Sequence, residues 1–200
     1  MDDLKILPGF FDADAQQRLL RAVREVVKEA PLFTPVMPRT GKPFSVRMSN
    51  CGPLGWVSDK DGYRYQPLHP VTGRPWPPIP EMLLEAWAEL SGFPAEPEAC
   101  LVNFYQGKAK MGLHQDKDEE VFDAPVLSVS LGDTALFRVG GTERADPTRS
   151  FRLASGDVLV MGGKARLAFH GIDRVMAGSS KLLPDGGRIN LTLRRVTGAG

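Results

Sequence analysis

Cysteine and histidine are scarce in this chain: two and three respectively among 200 residues. Cys51 and Cys100 lie far apart and match no metal-ligand spacing, so neither a disulfide framework nor a closed structural zinc site is expected. Two isolated thiols suit a reducing compartment, and a cytoplasmic monomer is expected. Long apolar runs are also missing. None approaches the roughly 20 residues of a membrane-spanning helix, so no membrane partner is expected. The opening residues, MDDLKILPGFFDADAQ, are acidic and interrupted by Pro8. A secretory leader needs a basic start and a longer apolar stretch, and none is expected here. Excess charge of one sign is absent too, with 25 Lys+Arg against 24 Asp+Glu, which excludes a tail-like basic protein. There is no internal repeat and no low-complexity segment.

The composition that remains, 42% hydrophobic, is that of a folded globular chain. Its length suits one domain, or one domain with an appended lid. The balanced total hides local imbalance: residues 31–80 carry six basic and two acidic side chains, and residues 81–120 three and nine. Binding follows local potential, so a polyanionic partner is compatible with a neutral total.

Helical spacing of Leu19, Leu20, Val23, Val26 and Val27 predicts a helix over about 14–29, with Asp14 as N-cap and Gln17 completing a capping box. Met82, Leu83, Ala86, Trp87 and Leu90 predict a second over 81–90, opened by Pro80 and stopped by Gly92. Between them lies a stretch punctuated by Pro and Gly, with strand-like PFSVRMS and GYRYQ and the aromatics Trp56, Tyr63, Tyr65 and Trp76. From residue 99 the pattern becomes short strands with turn signals: ACLVNFY, PVLSVSL, TALFRVG, SFRLA, DVLVMG, RLAFHG and GRINLTLRRV. That spacing suggests a sandwich or barrel.

Chemistry concentrates in LHQDKDEE, where His114 and Asp116 stand two apart. On extended chain they share a face. His170 closes RLAFHG far downstream. Two histidines and a carboxylate make the facial triad of non-haem Fe(II) oxygenases, with positions left open for co-substrate and dioxygen. Taken alone the three residues are a weak signal, since H-x-D pairs arise often by chance. The last strand adds to it. Arg188, Asn190, Thr192 and Arg194 alternate with Ile189, Leu191 and Leu193. The polar face either meets solvent, as is common for an antiparallel strand, or lines a barrel interior where arginine holds a carboxylate. Asn103 and Tyr105 share one face of CLVNFY in the same way.

LVNFYQGKAKMGLHQDKDE, PVLSVSLGDTALFRVGG, GDVLVMGGKARLAFHGI and RINLTLRR resemble the AlkB family of Fe(II)/2-oxoglutarate dioxygenases. The stretch MSNCGPLGWVSDKDGYRYQPLHPVTGRPWPPIP is similar to that family's nucleotide-recognition lid. The resemblance implies an α+β chain with a double-stranded β-helix (jelly-roll) core over 96–200, the helices and lid of 1–95 packing on it as one structural unit. It implies that Fe(II) is bound by His114, Asp116 and His170, and 2-oxoglutarate by Asn103, Tyr105, Arg188, Asn190 and Arg194, with O2 as the third reactant. Trp56, Tyr63, Tyr65, Asp118 and Arg144 would approach the substrate. The implied reaction is oxidative demethylation of 1-methyladenine and 3-methylcytosine in single-stranded DNA, with RNA as a further partner. Arg47, Lys60, Arg64, Lys108, Lys117 and Arg144 are candidates for backbone phosphates. Met161 departs from the pattern, standing where a large aromatic is usual. Three alternatives carry different expectations: a related dioxygenase acting on RNA, protein or small molecules, a β-fold nucleic-acid-binding module that turns nothing over, and a metal-binding storage or structural protein of cupin-like shape.

Overall fold

The computed structural model describes residues 3–198. Along the chain run β1 (Leu4–Leu7), α1 (Ala13–Glu29), β2 (Arg47–Cys51), β3 (Gly55–Asp59), β4 (Gly62–Gln66), α2 (Glu81–Leu90), β5 (Ala99–Tyr105), β6 (Met111–His114), β7 (Val126–Gly132), β8 (Thr134–Val139), β9 (Arg149–Leu153), β10 (Val158–Met161), β11 (His170–Met176) and β12 (Arg188–Arg194). All strand pairs are antiparallel. A six-stranded sheet, in the order β1-β10-β7-β12-β5-β2, faces a four-stranded sheet, β6-β11-β8-β9, and the β3-β4 hairpin stands apart. This is the jelly-roll architecture.

Strand alternation sorts the larger sheet into two faces. Cys100 and Val102, Leu127, Val129 and Leu131, Val158 and Val160, and Ile189, Leu191 and Leu193 pack against Leu19, Leu20, Val23 and Val26 of α1 and Leu83, Ala86 and Trp87 of α2. The opposite face looks into the sandwich. There Leu101, Tyr105, Val126, Leu159 and Met161 meet Ala135, Phe137, Val139, Leu153 and Ile172 of the smaller sheet. Register carries the polar alternation of β12 into the same interior: Arg188 lies opposite Tyr105, Asn190 opposite Asn103 and Ser130, and Thr192 opposite Leu101 and Ser128.

Several expectations are corrected. The N-cap of α1 is Asp12, whose carboxylate accepts the Ala15 N–H at 2.8 Å; Asp14 lies inside the first turn. The boundary at residue 95 does not divide sheet from lid, because β1 pairs with β10 and β2 with β5. RLAFHG is not a strand ending at His170. Residues Gly163–Ala165 form a 3-10 turn, and His170 begins β11. The sequence reading also passed over β1, β3 and β6, which are only four or five residues long. Cys51 and Cys100, distant in sequence, face one another across β2 and β5 as buried free thiols. His69 serves structure: its Nδ1 accepts the Val71 and Thr72 N–H groups, and its Nε2 meets the Pro31 carbonyl at 2.7 Å.

Candidate metal centre and substrate cavity

The antiparallel pairing of β6 with β11 sets His114 directly opposite His170, with ring centroids 4.5 Å apart. Gly171 permits that approach, since a Cβ there would sit 2.6 Å from the Met111 carbonyl oxygen. After His114 the chain leaves the sheet and turns Asp116 inward. Its Oδ1 lies 3.7 Å from His114 Nε2 and its Oδ2 3.7 Å from His170 Nε2. One ligand atom from each residue falls within 4.8 Å of the others. Each imidazole has Nδ1 at 2.9 Å from a main-chain carbonyl, Gly112 for His114 and Ala168 for His170. A carbonyl only accepts, so Nδ1 carries the proton and Nε2 presents its lone pair to the centre.

Electrostatics prepare these groups for a cation. Burial resists ionisation of Asp116, but Arg194 foremost, then His170, His114 and Arg166, outweigh it and hold the carboxyl well below the usual carboxylate range. Arg194 Nη2 meets Asp116 Oδ1 at 2.8 Å, while Oδ2 is buried with no hydrogen-bond partner. Burial lowers His170 from 6.5 to about 4 against the pull of Asp116, so its ring is neutral at physiological pH. The site offers one carboxylate and two nitrogen donors, the set that suits Fe(II) and leaves coordination positions open.

Deeper in the sandwich Arg188 is 1% exposed. Its Nη2 donates to Ser130 Oγ at 2.9 Å, its Nε and Nη1 have no partner, and its guanidinium lies 5.4 Å from the Tyr105 ring centre. A buried guanidinium with unused donors and no carboxylate beside it is a costly arrangement unless an anion completes it. Asn190 donates to Ser128 Oγ at 2.7 Å and accepts from Thr192, while Asn103 Oδ1 is buried without a partner. Burial raises the Tyr105 hydroxyl to about 12, leaving it a neutral donor. The orphaned donors of Arg188 and the free acceptor face of Asp116 line one cavity of about 630 Å³. These residues fit a dicarboxylate that reaches the metal at one end and Arg188 at the other.

The mouth of that cavity holds the aromatic residues. Trp56 on β3 donates its indole Nε1–H to Asp118 Oδ2 at 2.8 Å and stacks on Tyr63 of β4, with centroids 5.6 Å apart and planes 16° apart. Asn50 fixes the Trp56 backbone on both sides, donating to its carbonyl at 3.0 Å and accepting from its N–H at 2.9 Å. Tyr63 is 50% exposed. Arg144 reaches the same cavity with its guanidinium over the Phe169 ring. Tyr65 does not line the cavity. It shares the parity of Tyr63 on β4, but its hydroxyl donates to Glu119 and accepts from Arg194 Nη1 at 2.9 Å. Met161 is buried in the cavity wall.

The sequence reading missed Glu119, Arg166, Asn50, Ser128 and Ser130. Glu119 had the look of an exposed acidic run, yet it is buried against Arg166 Nη2 at 3.1 Å. The serines had a signal: in PVLSVSL they alternate with Leu127, Val129 and Leu131, as the polar face of β12 does.

A family model described as the 2OG-Fe(II) oxygenase superfamily matches residues 3–194. The "Alpha-ketoglutarate-dependent dioxygenase AlkB homolog" of Caulobacter vibrioides is 56% identical over 190 residues, 95% of this chain and 86% of that protein. The AlkB dioxygenase of Escherichia coli is 43% identical over 189 residues, 92% of this chain and 87% of that one. The solved structure of OsALKBH1 matches with a TM-score of 0.79 and 33% identity, covering 96% of this chain and 98% of that chain. The chain belongs to the AlkB family. It is an Fe(II)- and 2-oxoglutarate-dependent dioxygenase, and Fe(II), 2-oxoglutarate and O2 are its cofactor and co-substrates. In this AlkB-family chain, no helix among the described residues is long and apolar enough to cross a membrane.

Proposed function

We propose that this dioxygenase repairs alkylation damage by oxidising N-alkyl groups off the Watson–Crick edge of bases in single-stranded DNA, with 1-methyladenine and 3-methylcytosine as substrates and RNA as a second substrate class. The observation that carries the reading is the Trp56–Asp118 pair at the mouth of the metal cavity, hydrogen-bonded at 2.8 Å with Asp118 two residues past Asp116. A ring alkylated at such a nitrogen is cationic. An indole face attracts it by about 0.5–2 kcal/mol, more as water is excluded. A carboxylate beside that face adds charge complementarity. The damaged base pairs poorly, so drawing it out of a stack costs little.

Bound Fe(II) with 2-oxoglutarate and O2 would supply the oxidation of the N-methyl carbon: one atom of O2 enters succinate as 2-oxoglutarate loses carbon dioxide, and the other enters the hydroxymethyl group, which leaves as formaldehyde. The chain's own residues prepare that event. His114, Asp116 and His170 would hold the metal. Arg188, with Asn103, Tyr105, Asn190 and Arg194, would hold and orient the dicarboxylate. Trp56 and Tyr63 would sandwich or cap the base, and Arg144 would meet its backbone phosphate. On this reading the β3-β4 hairpin acts as a nucleotide-recognition lid over the jelly roll. The free, buried thiols accord with a reducing, cytoplasmic setting.

The test is anaerobic loading with Fe(II) and 2-oxoglutarate, then admission of air and a single-stranded oligonucleotide bearing one 1-methyladenine. Mass spectrometry follows the oligonucleotide, and succinate is assayed alongside. The expected result is loss of the methyl mass with stoichiometric succinate and formaldehyde. Succinate without demethylation would overturn the substrate assignment and leave the dioxygenase.

A further inference from the structure

Arg166 is 2% exposed, yet it lies outside the cavity and contacts neither the base-facing hairpin nor the dicarboxylate pocket. Its side chain is committed to one segment. Nε donates to the Ala124 carbonyl at 3.0 Å, Nη1 to the Asp116 carbonyl at 2.7 Å and Nη2 to Glu119 Oε2 at 3.1 Å. Phe122 closes over the guanidinium, 5.4 Å from its ring centre. Residues 115–125 form neither strand nor helix. They therefore lack a ladder to fix them, although they carry the metal ligand Asp116 and the base-facing Asp118. One planar fork gathers the backbone of this loop at two points and a side chain at a third.

The same arginine joins the two halves of the triad. It lies four residues before His170, on the turn that delivers β11 to the centre. Beside it Gln115 Nε2 donates to the Leu167 carbonyl at 2.8 Å, a second stitch between the two segments. Charge alternates along the buried row: Arg166 faces Glu119, Glu119 Oε1 lies 3.5 Å from Arg194 Nε, and Arg194 faces Asp116. Each carboxylate is flanked by guanidinium, and each guanidinium by carboxylate or carbonyl oxygen.

We infer that Arg166 is a positioning residue for the metal ligand Asp116, acting through that ligand's own carbonyl and through Glu119. The inference rests on His114, Asp116 and His170 being the metal site. Partners behind metal ligands typically account for about 10- to 100-fold in metal affinity. A lysine keeps the charge but has no planar fork and cannot hold three acceptors in these directions.

The experiment is a titration of the metal-free protein with Co(II), without 2-oxoglutarate, read by the visible absorption of bound cobalt. Wild type, Arg166→Lys and Glu119→Gln are compared after each is shown to unfold cooperatively above the assay temperature. The expected result is a Co(II) dissociation constant raised about 10-fold or more in Arg166→Lys, with an altered visible band, and a smaller rise in Glu119→Gln. A residue that only stabilises the fold would lower the unfolding midpoint and leave both readings of the folded protein unchanged; that outcome overturns the inference. Should Arg166→Lys fail to fold, Glu119→Gln decides alone, and native affinity and spectrum there overturn it. Failure of the wild type to bind Co(II) would instead remove the metal-site reading beneath it.

Discussion

Arg194 and Asp116 form a buried ion pair deep in the sandwich: Nη2 lies 2.8 Å from Oδ1, and the second carboxylate oxygen, Oδ2, is buried without a donor. The arginine thus fixes the carboxylate plane and spends only one oxygen doing so. The other lies 3.7 Å from His170 Nε2 with no donor of its own. A metal ion would find Oδ2 free while Arg194 keeps Oδ1.

Replacement of Asp116 by alanine should therefore remove both the anionic ligand and the partner of Arg194. We expect turnover to be abolished, measured as Fe(II)-dependent succinate formation, and Co(II) binding to weaken by at least two orders of magnitude. Full activity in the variant would exclude Asp116 from the ligand set.

Arg188 offers a different dissection. Its two unused donors are worth roughly 1.5–3 kcal/mol each when they meet an ionised carboxylate, so Arg188→Ala should raise the 2-oxoglutarate KM by about 100-fold or more. The KM for an alkylated oligonucleotide should rise far less, because Arg188 is buried in the sandwich against Ser130 and Tyr105. An equal rise in the two constants would refute the assignment of that pocket.

Much of this was legible in the chain because period-two alternation survives burial. Arg188, Asn190, Thr192 and Arg194 share one face in the sequence and one face in the structure, and the same holds for Asn103 with Tyr105. What alternation leaves open is whether a polar face meets water or a cavity, and only the opposing sheet answers that. RLAFHG reads as a strand because Leu167, Ala168 and Phe169 are apolar, whereas Ala165 and Ala168 are buried at a tight turn and the strand begins at His170. Tyr65 was grouped with Trp56 and Tyr63 on the strength of the resemblance. Tyr63 and Tyr65 share one parity on β4, yet the hydroxyl of Tyr65 reaches Arg194 and Glu119 instead of the cavity. Glu119 carried no local signal at all. Its partner Arg166 is 47 residues away, and a buried ion pair between distant segments has no sequence period.

At the cavity mouth, the indole of Trp56 serves both as a stacking face and as a donor to Asp118. Trp56→Phe keeps a face and loses the donor; Trp56→Ala loses both. Use of a methylated oligonucleotide, as kcat/KM, should fall several-fold in Trp56→Phe and more than about 10-fold in Trp56→Ala. The slow consumption of 2-oxoglutarate without oligonucleotide should persist in each. Parallel loss of both activities would mean that Trp56 supports the fold.

Acid stability of the metal-free protein tests the state of His170. Burial lowers its pKa from 6.5 to about 4. Between those values the unfolded chain binds a proton at this residue and the folded chain does not, so stability rises with pH across the window. The contribution is complete above 6.5 and is lost as the pH falls toward 4. Asp116, held below the usual carboxylate range, adds a loss in the same direction only at lower pH. Denaturant midpoints of the metal-free wild type should therefore fall between pH 6.5 and 4, and those of His170→Gln should fall less, since glutamine binds no proton. Midpoints that decline in parallel for the two proteins would show that the imidazole is not held neutral by its burial.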